Sequence, residues 1–400
     1  MSKYFISADN LILANGKECI TNGGVLISDS LIEWVGSISE APNLNEAKVF
    51  HYKESSILPG LIDSHVHLSL TGTPDPWNEM QNDSVALATI KATKSALQTL
   101  QNGVTYVRDM GSKEGIVIDV AKAIDSGIIF GSRILPSGRC ITMTGGHAYP
   151  IGIEVDGEFE ARKAARQDLK HGAKSLKVIA SGGVLTPGVA PGSPQLSIEE
   201  MKAVVDEAHK AGFLVGAHAH GTQGIKNALH ANCDTIEHCS YLDEESIDLF
   251  LEKGATMVST LIATNSLISD LKNPGVPSYV VDKIQKHAEK ESQSLEKAIL
   301  HRVKIIAGSD SGTALNPHNQ LIKEIELLVS HGMGEFNALQ ACTCIPAKLF
   351  GLDTKVGSLD VGKFADILVV RGNPLTNIFS LENALLVIKG GQFAYRCQDT

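Results

Sequence analysis

From Gly60 onward, short apolar runs rich in Val, Ile and Thr alternate with longer stretches whose apolar residues recur at helical spacing. No other feature restricts the fold so tightly, because strands separated by helices are joined by crossovers and lie parallel. Eight runs qualify as strands: "ILPGLIDSHVHL", "GVTYVRDMG", "SRILPSGR", "SLKVIASGG", "FLVGAHAHG", "CDTIEHC", "TMVSTL" and "VKIIAGSDSG". Eight parallel strands close a TIM barrel. Between them stand helices such as "SIEEMKAVVDEAHKAG", which opens on Ser197 with Glu199 and Glu200 in its first turn and closes on Gly212. Cap, dipole complement and terminal glycine all agree.

The two chain ends read differently. "YFISADNLILANGKECITNGGVLISDSLIEWVGS" alternates with period two, carries Asn-Gly turns and has no helical stretch, the pattern of antiparallel β. "VGSLDVGKFADILVVRGNP" and "NALLVIKGGQFAYR" share that character. The expected architecture is α/β: a catalytic (β/α)8 TIM barrel over residues 58–355, with a small composite β-sandwich domain built from residues 1–57 and 356–400.

Forty-five acidic against 35 basic residues leave a net charge of -10 without like-charged blocks, which argues against nucleic acid and anionic membrane as partners. The first residues lack the succession of a signal peptide, and no apolar stretch reaches the length of a membrane span. A cytoplasmic protein acting on a small molecule is expected. The scattered cysteines, with no C-x-x-C pair, suit small buried residues of a reduced compartment.

Alternate strand residues share a face, so His65 and His67 in "GLIDSHVHLS" project together. At the C-terminal mouth of the first barrel strand they would face the region where this fold keeps its chemistry. Imidazole is the commonest metal-binding side chain, although H-x-H alone also suits two hydrogen-bonded pocket histidines. Further candidates end other strands: His218 and His220 on strand five, His238 on strand six, Asp310 on strand eight. Lys177 lies inside the apolar "SLKVIASGG" of strand four, and a buried lysine is costly unless its charge is paired or removed. An inner-barrel ion pair is the plain alternative. His209, His287, His301 and His331 fall in helical stretches or at their ends and read as solvated surface residues. Arg108, ending strand two, suits pairing with Asp109 or an inner-barrel acid better than a substrate contact.

Taken in order, "LPGLIDSHVHL", Lys177, "AHAHG", "IEHCSYLD", "AGSDSG" and "VGSLDVGKFADILVV" resemble the amidohydrolase superfamily, especially its Xaa-Pro dipeptidase and arginine/lysine carboxypeptidase-like branch, which includes ochratoxinase. The likeness runs through essentially the whole chain. It implies two Zn2+ or other divalent metal ions per chain. His65 and His67 match the ligands of one, and His218 and His238 those of the other. Lys177 matches a lysine that takes up CO2 as a carbamate bridging both, and Asp310 matches the carboxylate that touches the first metal and handles the proton. In such relatives the first histidine of "H-A-H" is the ligand, hence His218 rather than His220. "GSDSG" stands where "GTDAG" is usual, which retains the aspartate and is expected to alter the adjacent pocket wall.

The activity so implied is hydrolysis of dipeptides or N-acyl amino acids by a metal-bridging hydroxide, with Asp310 as base and then acid; a homo-oligomer is implied too. His147 in "TGGHAYP" matches a loop histidine beside the substrate, and His220 and Tyr241, next to the ligands, are further candidate contacts. Tyr241 suits either a bond to a substrate carboxylate or loop packing. "GGVLTPGVAPGSPQ" has the length of an active-site loop. The alternative is a deaminase or a hydrolase of cyclic or non-peptide amides, ochratoxinase-, imidazolonepropionase- or dihydroorotase-like; mononuclear deaminases lack the bridging lysine. A non-catalytic scaffold would show missing ligands, and every position is filled. No G-x-S-x-G, G-x-G-x-x-G or Walker A pattern competes.

Overall fold

The computed structural model describes residues 3–16 and 19–397, apart from the side chains of residues 285 and 286. Barrel positions one to eight are filled by Leu61–Val66, Val104–Asp109, Arg133–Pro136, Ser175–Ile179, Leu214–Ala219, Thr235–His238, Thr256–Ser259 and Lys304–Ala307. Strands four to eight pair in parallel, with Ser175 beside Leu214, Gly216 beside Thr235, Thr235 beside Thr256 and Thr256 beside Lys304. Strands one to three form a second run. Two junctions close the ring. At one, Asp310 N–H donates to His65 O at 2.7 Å and His67 N–H to Ser311 O at 2.9 Å. At the other, Lys174 N–H donates to Pro136 O at 2.8 Å.

Strand one and strand four are buried at every residue, as strands covered on both faces must be. The helix foreseen after Ser197 spans Ile198–Lys210, and Ser197 and Glu200 form a capping box. The third strand departs from expectation. "SRILPSGR" supplies Arg133–Pro136, but the chain then turns through Gly138 (φ +79°), and Cys140–Thr142 instead pairs with Lys177 and Val178 of strand four.

The chain ends share one seven-stranded sheet, in the order Gln392–Arg396, Ala384–Lys389, Ile367–Arg371, Lys48–Pro59, Lys3–Leu11, Ile20–Ser28, Leu31–Ser37. The sheet is antiparallel except where Lys3–Leu11 runs parallel to Lys48–Pro59. Ile6, Val25 and Ile32 meet Ile367, Leu386 and Ile388 in one buried cluster, so the sheet folds over on itself as a small sandwich. The Asn22–Gly23 pair is not a turn: it lies within Ile20–Ser28, with Asn22 at φ +51°, and the reversal comes at Asp29 (φ +52°). By contact density the chain divides into two compact units, Met1–Ile62 with Leu97–Tyr106 and Leu328–Thr400, and Asp63–Ala96 with Val107–Leu327. Among the described residues, no helix is long and apolar enough to cross a membrane.

Candidate active site

The predicted ligands converge at the C-terminal ends of the barrel strands. His65 is fully buried; its Nδ1–H donates to Glu237 Oε2 at 2.7 Å, which turns Nε2 toward Asp310 Oδ1 at 3.5 Å. His67 repeats the arrangement, with Nδ1–H donating to Gly111 O at 2.9 Å and Nε2 again 3.5 Å from Asp310 Oδ1. Burial holds His67 at a pKa of about 3 and His65 well below the ordinary range, so both rings are neutral with a lone pair on Nε2. Two lone pairs therefore face the Asp310 carboxyl oxygen at 3.5 Å. His65 Nε2 and Asp310 Oδ1 are both buried without a hydrogen-bond partner, an arrangement that calls for a cation.

Lys177 completes the anomaly. Its Nζ is buried and makes no hydrogen bond, although Glu237, Cys140 and Asp310 are near enough to act on its charge. Burial pulls the ammonium below its usual pKa against those groups, and the same burial pushes Asp310 up. Across the site, the ligand atoms of His218, His220 and His238 lie within 4.8 Å of one another, as do those of His65, His238 and Asp310. Burial lowers the pKa of His218, His220 and His238 well below normal, again leaving neutral imidazoles. His238, the last residue of its strand, and Asp310, just past its own, sit at φ +71° and +51°, a region that His and Asp tolerate better than most residues.

His67, Lys177, His218, His220, His238 and Asp310 line a cavity whose remaining wall is largely apolar, including Leu70, Trp77, Ile151, Leu185, Leu267 and Ile284. Its donors are imidazoles and a carboxylate, the set that divalent zinc, cobalt or manganese favours. Residues 56–393 match the model of the amidohydrolase family. The chain belongs to that family. It is a hydrolytic enzyme acting on amide bonds. It is 31% identical to ochratoxinase of Aspergillus niger, over 94% of this chain and 83% of that protein. A Xaa-Pro dipeptidase with methionine bound in its active site superposes with a TM-score of 0.88 at 32% identity, covering 99% of this chain and 100% of that one. A prolidase complexed with N-methylphosphonate-L-proline gives 0.91 at 28% identity, with the same coverage.

Other candidates of this amidohydrolase are placed less uniformly. His147 lines the cavity; Thr186 Oγ1 lies 2.8 Å from its Nδ1, and its ring is 4.3 Å from that of His218. A Cβ on Gly183 would stand 2.4 Å from the His147 ring, which is why the loop "GGVLTPGVAPGSPQ" has glycine there. That loop contributes Val184 and Leu185 to the cavity, and Lys283 holds it by donating to Gly183 O and Thr186 O at 3.2 and 2.6 Å. His220 also lines the cavity, whereas Tyr241 does not: its hydroxyl meets His287 Nδ1 at 3.0 Å. Arg108 pairs with the inner-barrel acid Glu237 at 2.8 Å, while Asp109 accepts from Leu68 N–H and Gly111 N–H.

Two expectations are corrected. His287 is not a solvated surface residue: it has no exposed surface, and its Nε2 lies 2.9 Å from Ser240 Oγ, whose hydroxyl is 2.8 Å from His220 Nδ1. The departure at "GSDSG" does not reach the pocket wall. Ser311 turns its hydroxyl to Ser309 Oγ at 2.6 Å, and Ser309 donates to Asp63 at 2.5 Å, a buried chain behind the ligands. Sequence reasoning also passed over Glu291, which lines the cavity from the helix Ser278–Leu300. Its one signal was a polar residue in step with Val280, Ile284 and His287 on a buried stripe.

Proposed function

We propose that this amidohydrolase cleaves dipeptides or N-acyl amino acids at a binuclear metal centre. The observation that carries the reading is the buried meeting of His65, His67, Lys177 and Asp310, in which the unpartnered atoms of His65, Lys177 and Asp310 find partners once cations lie between them. His65 and His67 would hold one ion and His218 and His238 the other. Lys177, carrying a CO2-derived carbamate, would bridge them; a neutral buried amine is the form that adds CO2, and the product turns an orphaned donor into a carboxylate ligand. When bound, such cations acidify water and polarise the scissile carbonyl.

The protein's own groups do the rest. Asp310 Oδ1 accepts the proton of the attacking water and passes it to the departing amine nitrogen, acting as base and then acid. Glu237 fixes the His65 tautomer from behind, and Gly111 O that of His67. His147 and His220, both on the cavity wall, contact the substrate. The domain division 1–57 with 356–400 and 58–355, and assembly as a homo-oligomer, belong to the same reading.

The test is amine release by the zinc-reconstituted enzyme from dipeptides and N-acyl amino acids that vary the C-terminal residue across proline, arginine, lysine and aromatics. Cleavage of one subset supports the peptidase reading. Silence across the panel with two metals bound per chain shifts the assignment to cyclic or non-peptide amides.

A further inference from the structure

The helix Ser278–Leu300 carries Lys283, His287 and Glu291 at successive i, i+4 positions, one stripe turned toward the cavity region. Lys283 is engaged with the loop carbonyls and His287 with Ser240 and Tyr241. Glu291 is different. It is 2% exposed and lines the cavity; Oε1 lies 3.4 Å from Ser240 Oγ and Oε2 has no hydrogen-bond partner. No Lys or Arg among the described residues pairs with it, whereas Glu237, Asp168 and Glu207 have such a partner and the buried Asp63, Asp109 and Glu324 each accept from two or more hydroxyl or backbone N–H donors.

The cavity composition sharpens the contrast. Its lining holds two carboxylates, Asp310 and Glu291, and Asp310 already faces His65 and His67. Its one Lys or Arg is Lys177, which the proposed centre consumes. The same lining includes the apolar or hydroxylic Ala263, Thr264, Leu267 and Ile284. Ligand atoms of His220, His287 and Glu291 lie within 4.8 Å of one another, and the His220 ring stacks on His238 at 4.7 Å. The Glu291 carboxyl, with Oε2 unpartnered, thus stands one imidazole away from the proposed ligands, within the reach of a dipeptide.

We propose that Glu291 is a specificity-determining residue that pairs with a cationic nitrogen of the substrate, either its α-amino group or a basic side chain. The assignment rests on the amide-hydrolase reading above. An unpaired buried carboxylate gains its missing partner when an ammonium enters, and a neutral amide or alkyl group in the same place leaves it unpaired. The enzyme would therefore favour charged over charge-neutralised versions of one substrate.

The test uses zinc-reconstituted enzyme, wild type, Glu291→Gln and Glu291→Asp, each checked for an unchanged melting profile. Two matched pairs are compared: Ala-Leu against N-acetyl-Ala-Leu, and N-acetyl-Leu-Lys against N-acetyl-Leu-Leu. The wild type should favour the cationic member of one pair by about tenfold or more in kcat/KM, the scale of one charge-assisted contact. The favoured pair names the source of the nitrogen. Glu291→Gln should lose that preference by lowering the cationic member alone, and Glu291→Asp should restore part of it. An equal fall on both members, or a wild-type preference for the neutral ones, overturns the proposal. If no pair is hydrolysed, the peptidase reading is decided separately by the wider panel above, and calorimetric affinities of the same pairs decide the pairing: equal affinities in wild type and Glu291→Gln overturn it, and a loss confined to the cationic member sustains it.

Discussion

Replacing Arg108 by Met tests the chemistry behind the metal-facing residues. The guanidinium is fully buried and donates Nε–H to Ser64 O at 2.7 Å, Nη1–H to Thr235 Oγ1 at 3.0 Å, and Nη2–H to Glu237 Oε1 and Oε2 at 2.8 and 3.0 Å. Met fills similar space and donates nothing. Glu237 keeps His65 Nδ1–H at 2.7 Å and the Thr235 hydroxyl at 2.6 Å, but loses its cation where water cannot replace it. Breaking one side of a buried pair costs about 3–5 kcal/mol, and the bond lost at Ser64 O adds about 1 kcal/mol, less than additively. Against a typical unfolding free energy of about 5–15 kcal/mol the loss is severe. Urea unfolding of the metal-free protein should show a lower midpoint with an unchanged slope. Because Glu237 also orients His65, metal affinity measured by competition with a chelator should fall about 10- to 100-fold. Arg108→Lys keeps the charge without the fork and should fall between. A Met variant within about 0.5 kcal/mol of wild type, with unaltered metal affinity, would refute the reasoning.

Lys177→Ala should leave at least one metal unbound on elemental analysis, and two metals retained would remove the bridging assignment. Asp310→Asn should bind substrate but lose about 100-fold or more in kcat; unchanged turnover excludes its proton-transfer role. Of His218→Ala and His220→Ala, only the former should lower metal stoichiometry markedly, which elemental analysis of both variants decides. Glu324 supplies a pH test away from the ligands: burial raises its pKa to about 7, against bonds from Ser259 Oγ–H and Ile262 N–H. The folded state holds this proton more tightly than the unfolded chain, so its contribution falls as pH rises from about 4.3 to about 7. Glu324→Gln should flatten that part of the stability curve, and a wild-type-minus-variant difference independent of pH would contradict it.

Much of this enzyme is legible along the chain because its determinants are local. The two-residue period puts His65 and His67 on one face, and the "SIEE" cap starts a helix at Ile198. A lysine amid apolar strand residues is costly enough to demand an explanation before any coordinate exists. What period and cap do not contain is which distant groups share a volume. Arg108 meets Glu237 across 129 positions and Tyr241 meets His287 across 46, and no local pattern encodes either partner.

The sequence by itself determined the barrel, the chain-end sheet and the strand-end histidines, since strand and helix periodicity and turn chemistry act over a few residues. Only the tertiary structure decided that His287 and Glu291 are interior, because a long helix with polar residues on two stripes does not declare which stripe the barrel will cover. It alone also decided that the Ser311 hydroxyl faces Asp63 through Ser309 rather than the cavity. Burial is a property of what packs against a residue, and here the packing partners come from other strands and loops, brought together by closure of the barrel.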